Sequence, residues 1–462
     1  MEVKNVKGTH DIIGEEVNAY VAVENLMKQV ASLFAYHEVR IPNLEHSEVF
    51  VRAVGESSDV VRKEMYTFDD KGGRSLTLRP EFTAGIMRMV VQNKLYATNE
   101  LPLKLFYLGP VFRYERPQLG RYRQFNQFGV ESIGNNSPYN DVEVIALAFT
   151  ILQSLGLEYV KIKINTLGDD ETRDNYRKAL KEYFAKHIDN MCEDCKSRFE
   201  LNPLRILDCK VPEDHPYIEK APKVSDYLSN SSKDRFVKVC SALKDMGIPF
   251  EIDDTLVRGL DYYSETVFEF HYKSAKGNDY GAIGAGGHYG KLMQELGGPD
   301  YPGVGFSFGI ERIVSVLKDD ELLPDLSEEL AVYVMPLGED VMSYAEGVSC
   351  TLRTNGYATD ICFDNVKMGA MFKRATNKKA KFAVIIGEDE RNSGTVVLKD
   401  LAKQEQITVK FDELVDKLDE LYADMDECEC GCGHHHDHDH ECCHGEDHDE
   451  HCCCHHHEKE GK

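Results

Sequence analysis

The sequence predicts an α+β body over residues 1–325, a smaller α/β domain over 330–425, and a low-complexity tail over 428–462. Three observations predict this. The segments "LKLFYLGPVFRYE" (103–115) and "RYRQFNQFGVESIG" (121–134) both alternate, and a turn around Pro117–Gly120 joins them as an antiparallel hairpin. Beyond an acidic, proline-bearing linker, "LKDDELLPDLSEE" (317–329), strand and helix patterns alternate as they do in α/β domains. From Cys428 onward the chain is dominated by cysteine, histidine and acid, a low-complexity composition expected to be disordered without metal.

The elements follow in order. Val17, Val21, Val23, Leu26, Met27, Val30 and Leu33 recur near helical spacing, so 16–36 reads as an amphipathic helix. "EVRIPNLEHSEVF" (38–50) is strand-like, with Pro42 forcing an irregularity. "SLTLRPEFT" (75–83) alternates as a strand and "AGIMRMVVQNKLY" (84–96) continues as a helix. Helices are expected over 140–156 and 170–190, and 190–250 reads as mostly helical with a loop-rich stretch near Pro203, Pro212 and Pro216. "TVFEFHY" (266–272) is a strand, "GAIGAGGHYG" (281–290) is glycine-rich, and "GVGFSFGIERIVSVL" (303–317) runs from strand into helix. In the last domain "LAVYVMPLG", "YATDICF", "KFAVIIG" and "TVVLKDL" read as strands.

Bulk composition narrows the function classes. The 462 residues are 42% hydrophobic and 29% charged, enough for ordinary globular cores. No run of 18 apolar residues occurs, so no membrane partner is expected. "MEVKNVKGTHD" lacks the basic-then-apolar pattern of a secretory signal, which points to the cytoplasm. The formal net charge is −26; the tail holds ten acids and two lysines, a net of −8, leaving −18 for residues 1–427. An acidic body argues against indiscriminate nucleic-acid binding but allows a local basic surface.

Against that charge, "RYERPQLGRYRQF" (113–125) concentrates Arg113, Arg116, Arg121 and Arg123 among Tyr114, Tyr122 and Phe125. Arginine forks suit phosphate and carboxylate, and aromatic faces suit stacked rings, so a nucleotide fits the pairing. Arg113 could hold an α-phosphate or a substrate carboxylate, Phe125 could stack under a purine, and Glu115 could accept from an exocyclic amine. A solvated arginine cluster is the alternative. In "LVRGLDYYSETVFEF" (256–270), Tyr262 and Tyr263 offer hydroxyls and ring faces, or simply fill the core. Glycines 281, 284, 286, 287 and 290 allow close backbone approach to a ligand, or form a plain turn. Gly305 and Gly309 flatten a strand for a planar ring, and Arg312, in the first turn of a helix, could reach a terminal phosphate.

Together these stretches resemble the bacterial class II histidyl-tRNA synthetase family, from about residue 4 to about 425. "KGTHD" (7–11) is similar to its N-terminal signature, and "IPNLEHSEVF" to motif 1, the dimer-forming segment. "TLRPEFT" (77–83) resembles its amino-acid-binding loop, "GPVFRYERPQLGRYRQFNQFGVE" (109–131) motif 2, "LVRGLDYY" the histidine signature, and "GVGFSFGIER" motif 3. The resemblance implies a class II core, an antiparallel sheet flanked by helices, with a helical insertion near 170–235 and an anticodon-binding domain. It implies a homodimer that forms histidyl-adenylate from L-histidine and ATP, then charges tRNA(His). By position, Glu81, Thr83, Gln127, Glu131, Tyr262 and Tyr263 would bind histidine. Arg113 and Arg258 would flank the α-phosphate and carboxylate as the catalytic pair. Glu115, Arg121, Phe125, Gly305 and Arg312 would join Arg113 in holding ATP, with Mg²⁺ on the phosphates. One departure stands out: the family's second signature ends Gly-Gly-Arg-Tyr-Asp, whereas here Gly286 and Gly287 precede His288, Tyr289 and Gly290. The change is expected either to alter the pocket's rim or the positioning of the tRNA end, or to be harmless covariation. The alternative is the regulatory subunit of ATP phosphoribosyltransferase, which shares the core but lacks an anticodon domain.

"NVKMGAMFKRATNKKAKFA" (365–383) holds Lys367, Lys373, Arg374, Lys378, Lys379 and Lys381 with no glutamate or aspartate. Met368, Met371, Phe372 and Ala375 can face the core, leaving a basic surface for tRNA. "CEDC" (192–195), Cys209 and Cys240 are expected to be reduced structural cysteines, because no second CxxC lies at zinc-ribbon spacing. The tail differs. Cys428, Cys430, Cys432, His434, His436, Cys442, Cys443, Cys452 and Cys453 lie among redundant thiol and imidazole ligands suited to Zn²⁺, Ni²⁺ or Cu⁺.

Overall fold

The computed structural model describes residues 3–55, 58–97, 100–116, 120–323 and 330–428. The chain divides into two compact units, Met1–Leu326 and Ser327–Lys462.

An eight-stranded sheet organises the first unit. Its centre is antiparallel: Leu103–Phe112, Gln124–Ile133, Gly303–Gly309, Asp279–Tyr289, Tyr263–Lys273 and Lys161–Thr166 pair in that spatial order. The two-residue strands His37–Glu38 and Glu251–Ile252 close the edges in parallel. The expected hairpin is present, with Val111 opposite Phe125 and Gly109 opposite Gln127.

Residue parity decides what each face of this sheet does, because side chains alternate along a strand. In the 124–133 strand, Phe128 and Val130 join a core with Val304, Phe306 and Phe308 from the next strand. Helices Glu15–Leu33, Pro138–Ser154, Asn230–Asp245 and Ile310–Asp319 cover that core. Phe125 and Ile133 point to the opposite face, where helices Ser47–Val54, Thr83–Gln92 and Leu292–Glu295 cover only part of the sheet. The uncovered part is the floor of the cavity described below.

Several expectations shift. The segment expected as a strand over 38–50 divides into two short strands, and Ser47 begins a helix whose Val49, Phe50, Ala53 and Val54 are buried. Val17, Val21 and Leu33 are exposed; Ala19, Tyr20, Val23, Met27, Val30 and Ala31 form the buried face of the first helix. The glycine-rich run is not a turn but the strand Asp279–Tyr289. A Cβ at Gly284 would collide with Phe308, and one at Gly286 with Phe268 and the Gly305 carbonyl. Cross-strand aromatic packing therefore fills the space where side chains at these glycines would point, while Ala282, Ile283, Gly284 and Ala285 line the cavity described below. A three-stranded sheet (Leu44–His46, Ser75–Leu78, Tyr66–Asp69) adds a strand that the sequence patterns did not reveal.

Residues 170–228 carry a small core of their own, built from Tyr176, Leu180, Phe184, Ile206, Leu207 and Val224 among others. Side chains cap its helices: Asp169 accepts from Thr172 N at 2.9 Å, and Asn202 accepts from Leu204 N ahead of Pro203.

The second unit holds a five-stranded sheet. Thr359–Ile361, Val332–Pro336 and Phe382–Ile386 are parallel, and Thr395–Asp400 and Gln406–Lys410 continue antiparallel. The last strand was not anticipated: its burial is slight, so its apolar pattern is weak. No helix among the described residues is long and apolar enough to cross a membrane.

Candidate active site

A cavity of about 500 Å³ lies over the sheet's uncovered face. At its inner end stands Glu131, 1% exposed. Thr83 donates its hydroxyl to Oε1 of Glu131 at 2.6 Å, and Tyr289 donates to Oε2 at 2.6 Å. Burial pushes the Glu131 carboxyl up to about 8, against the pull of these donors. Glu81 lies beside it at the start of the 83–92 helix, accepting from the backbone N–H of Thr83 at 2.7 Å and of Ala84 at 2.9 Å. A carboxylate satisfies these unpaired amides well, yet burial still raises its pKa. Gln127, Tyr262 and Tyr263 complete this end, the two tyrosine rings 4.6 Å apart and buried. All six expected histidine-pocket residues thus line one cavity.

The outer end is cationic. Arg113 is anchored by Nε donating to the Pro80 carbonyl at 2.8 Å, with its guanidinium 5.5 Å from the Phe125 ring centre. Glu115 lies between Arg113 and Arg121, at 3.9 and 3.6 Å. Arg312 donates to the Ala282 carbonyl at 2.6 Å from the first turn of its helix. Burial lowers the Arg312 pKa and the neighbouring Arg121 charge adds to that. Like charges held together in this way favour an anion between them. Arg258 donates to Glu269 at 2.5 Å, and Glu269 also accepts from His271 at 2.8 Å. The buried Nε of Arg258 has no hydrogen-bond partner.

The four hairpin arginines do not act together. Arg113 and Arg121 line the cavity. Arg123 turns aside, its guanidinium 3.8 Å over Tyr114 and its Nε donating to the Glu115 carbonyl. Arg116 is exposed and outside the lining. Gly305 lines the cavity floor next to Glu131: a Cβ there would collide with Glu131 and the Val130 carbonyl.

Sequence reading missed several wall residues. Tyr107 and Tyr289 line the inner end, and Arg198 and Arg205 reach in from the 170–228 segment. Arg198 pairs with Asp59 at 2.9 Å, and buried Arg205 donates to the Arg258 carbonyl at 3.1 Å. These partners lie 139 and 53 residues apart, so no local pattern could have announced them.

Comparison with known proteins decides the family. Residues 8–313 match the family described as Histidyl-tRNA synthetase, and 331–421 match an anticodon binding domain. The chain belongs to the histidyl-tRNA synthetase family. A curated relative named Histidine--tRNA ligase, from Lysinibacillus sphaericus, is 45% identical over 421 residues, covering 90% of this chain and 99% of that one. The solved histidyl-tRNA synthetase of S. aureus is 35% identical with a TM-score of 0.77, covering 90% of this chain and all of that one. A Bacillus halodurans structure titled ATP phosphoribosyltransferase regulatory subunit/histidyl-tRNA synthetase shares the fold at 23% identity and a TM-score of 0.59. As a histidyl-tRNA synthetase family member, the chain activates L-histidine with ATP and charges tRNA(His). Membership in a class II synthetase family implies the use of ATP and Mg²⁺.

The departure from the family signature sits on the far side of the sheet. Tyr289 reaches Glu131, whereas His288 points away and is 2% exposed, with Nδ1 3.1 Å from both Asp141 and Arg235. Parity, again, separates neighbouring residues.

In the second unit, Lys367 precedes the helix Met368–Asn377, which buries Met371 and Ala375 but leaves Met368 exposed. The patch is not free of acid in space. Arg374 pairs with Asp364 and Lys378 with Asp360, both at 2.7 Å. Lys367, Lys373 and Lys379 are exposed. Of the tail candidates, Cys428 ends the last helix with its side chain undescribed, and Cys430, Cys432, His434, His436, Cys442, Cys443, Cys452 and Cys453 lie outside the described residues.

Proposed function

We propose that the cavity over the sheet carries out both steps, with histidine at the Glu131 end and ATP along the arginine end. Carrying this reading is one observation: a buried carboxylate pocket and a set of arginines share a single cavity. Glu131, Glu81, Thr83, Gln127, Tyr262 and Tyr263 take the imidazole and ammonium groups. A buried hydrogen-bonding pocket rejects amino acids that leave its groups unpaired.

The substrate carboxylate is itself the nucleophile, so the chemistry needs no general base. It attacks the α-phosphate, the phosphoanhydride bond breaks, and pyrophosphate leaves. Arg113 and Arg258 hold carboxylate and phosphate in line and neutralise the charge that develops. The unpartnered Nε of Arg258 supports this role. Phe125 stacks on the adenine, Glu115 accepts from its amine, Gly305 keeps the floor flat, and Arg121 and Arg312 hold the outer phosphates. Glu64, beside Arg113 and Arg121, and Glu311 also line this cavity and would hold Mg²⁺, which would supply further phosphate neutralisation when bound.

The domain reading is that 1–325 forms the catalytic core with an insertion near 170–235, that 330–425 reads tRNA through Lys367, Lys373, Arg374, Lys378 and Lys379, and that the tail binds Zn²⁺, Ni²⁺ or Cu⁺. Resemblance of 41–50 to motif 1 supports a homodimer, and composition supports the cytoplasm. The regulatory-subunit reading is weaker, since the arginine set and an anticodon-type domain are both present.

The test is ATP–pyrophosphate exchange with each of the twenty amino acids. Exchange that depends on histidine alone is expected. Folded protein that binds histidine without exchange would overturn the catalytic assignment of the cavity.

A further inference from the structure

Cys192, Cys195, Cys209 and Asp214 converge in the 170–228 segment, their ligand atoms all within 4.8 Å of one another. They come from three separate places. Cys192 precedes the helix Glu193–Leu201, Cys209 follows the turn Pro203–Asp208, and Asp214 ends the turn Pro212–Asp214. The sulfurs of Cys192 and Cys209 are 3.8 Å apart, and the Cys209 sulfur is 3.2 Å from Oδ2 of Asp214. A disulfide needs roughly 2.05 Å, and these cysteines are free. Two sulfurs bound to one tetrahedral zinc at roughly 2.3 Å stand about 3.8 Å apart.

The surrounding backbone is also arranged for thiolates. The N–H of Cys195 donates to the Cys192 sulfur at 3.4 Å, and that of Val211 to the Cys209 sulfur at 3.4 Å. Asp214 is held by the Cys192 N–H at 3.2 and 3.3 Å. His215 Nε2 lies 3.2 Å from the Cys209 carbonyl, steadying that loop from outside the cluster. Three of the four ligand residues are buried.

We propose that Cys192, Cys195, Cys209 and Asp214 form a closed tetrahedral site for a zinc-class divalent cation, separate from the tail. Three sulfurs and one oxygen suit zinc and disfavour Mg²⁺ or Ca²⁺. Four protein ligands leave no open position, so the ion is structural. Metal binding at such a site takes the ligands as thiolates and so releases thiol protons to solvent. The cysteines are free, as the sequence reading expected; a ligand role does not require a second CxxC, because the fold supplies Cys209 and Asp214 singly. The ion would fasten the segment carrying Arg198 and Arg205, which reach Asp59 and the Arg258 carbonyl at the cavity wall. The site itself stands independently of the roles proposed for the cavity.

The tail's own ligands must be silenced to test this. A full-length chain with all eight tail cysteines (Cys428, Cys430, Cys432, Cys442, Cys443, Cys452, Cys453 and Cys454) and all eleven tail histidines changed to serine is purified and loaded with Co²⁺. Expected is one equivalent with intense tetrahedral visible bands and a thiolate-to-cobalt charge-transfer band. Adding Cys209→Ser removes the charge-transfer intensity of a three-thiolate site, whereas Cys240→Ser preserves it. A folded tail-serine chain that shows no thiolate–cobalt band overturns the site, as does a band unchanged by Cys209→Ser. Should Cys209→Ser fail to fold, the spectrum and stoichiometry of the tail-serine chain decide alone.

Discussion

The Thr83 hydroxyl donates to Glu131 at 2.6 Å, tying the first turn of a helix to the middle of the sheet across 48 residues of chain. Tyr289 holds the second oxygen of the same carboxyl. Glu131 is therefore fixed in place while its burial favours the protonated form up to a pH of about 8.

That shift has a definite sign. A carboxyl raised in the folded state contributes stability below its unfolded value, near 4.5, and loses it as pH rises through about 8. Wild-type Tm is expected to fall relative to that of Glu131→Gln as pH climbs across this window. Glu311, raised to about 7, contributes equally to both proteins and cancels in the difference. Parallel Tm profiles would contradict the expectation.

Gly305→Ala tests the floor. Its Cβ would collide with Glu131 Oε2 and the Val130 carbonyl, an overpacking cost of roughly 1–3 kcal/mol. Histidine affinity in calorimetry should fall more than ATP affinity, because the collision is at the inner end.

The hairpin arginines should separate by position. Arg113→Ala is expected to slow histidine-dependent exchange by about 10²–10³-fold with little loss of Tm. Arg123→Ala, which removes the stack on Tyr114, should lower Tm and leave most of the exchange rate. Arg116→Ala should change neither much, since that side chain is exposed.

Asp141 bears the charge network behind the sheet. Burial alone would raise its pKa, but His288 and Arg235 outweigh burial and hold it below the usual range. Its stabilising contribution is present above the unfolded value and is lost as pH falls through the depressed one. Asp141→Ala strands Arg235 and His288, at a cost of roughly 3–5 kcal/mol in urea denaturation.

The tRNA surface should divide in the same way. Changing Lys367 and Lys373 to alanine is expected to raise the KM for tRNA and flatten its salt dependence by roughly one to two log–log units, with exchange unaffected. Arg374→Ala should have a smaller effect on tRNA, because Asp364 already neutralises it.

Local periodicity made much of the protein legible. The hairpin, the helix from Thr83, the strand-to-helix run into Arg312 and the α/β pattern of the second unit all follow from spacings of two or 3.6 residues. Motif order then brought out the six pocket residues and the arginines together. Residues close together in sequence were harder to sort. Arg121 and Arg123, or His288 and Tyr289, differ in role because of where each side chain points. The glycines of 284–287 give clearance to neighbours no local pattern names: Phe308, Phe268 and Tyr263 fill their side-chain space, while Gly284 also lines the cavity.

What the sequence by itself determined is therefore which segments form elements and which chemistry they carry, since both are set within a few residues. Only the tertiary structure decided which of those groups meet. The fold brings Arg205 against Arg258, and Cys209 and Asp214 against the CxxC. Their proximity comes from packing the 170–228 segment on its own core and along the cavity wall. No spacing along the chain records that closure, because its cost and its reward are shared among residues far apart in sequence.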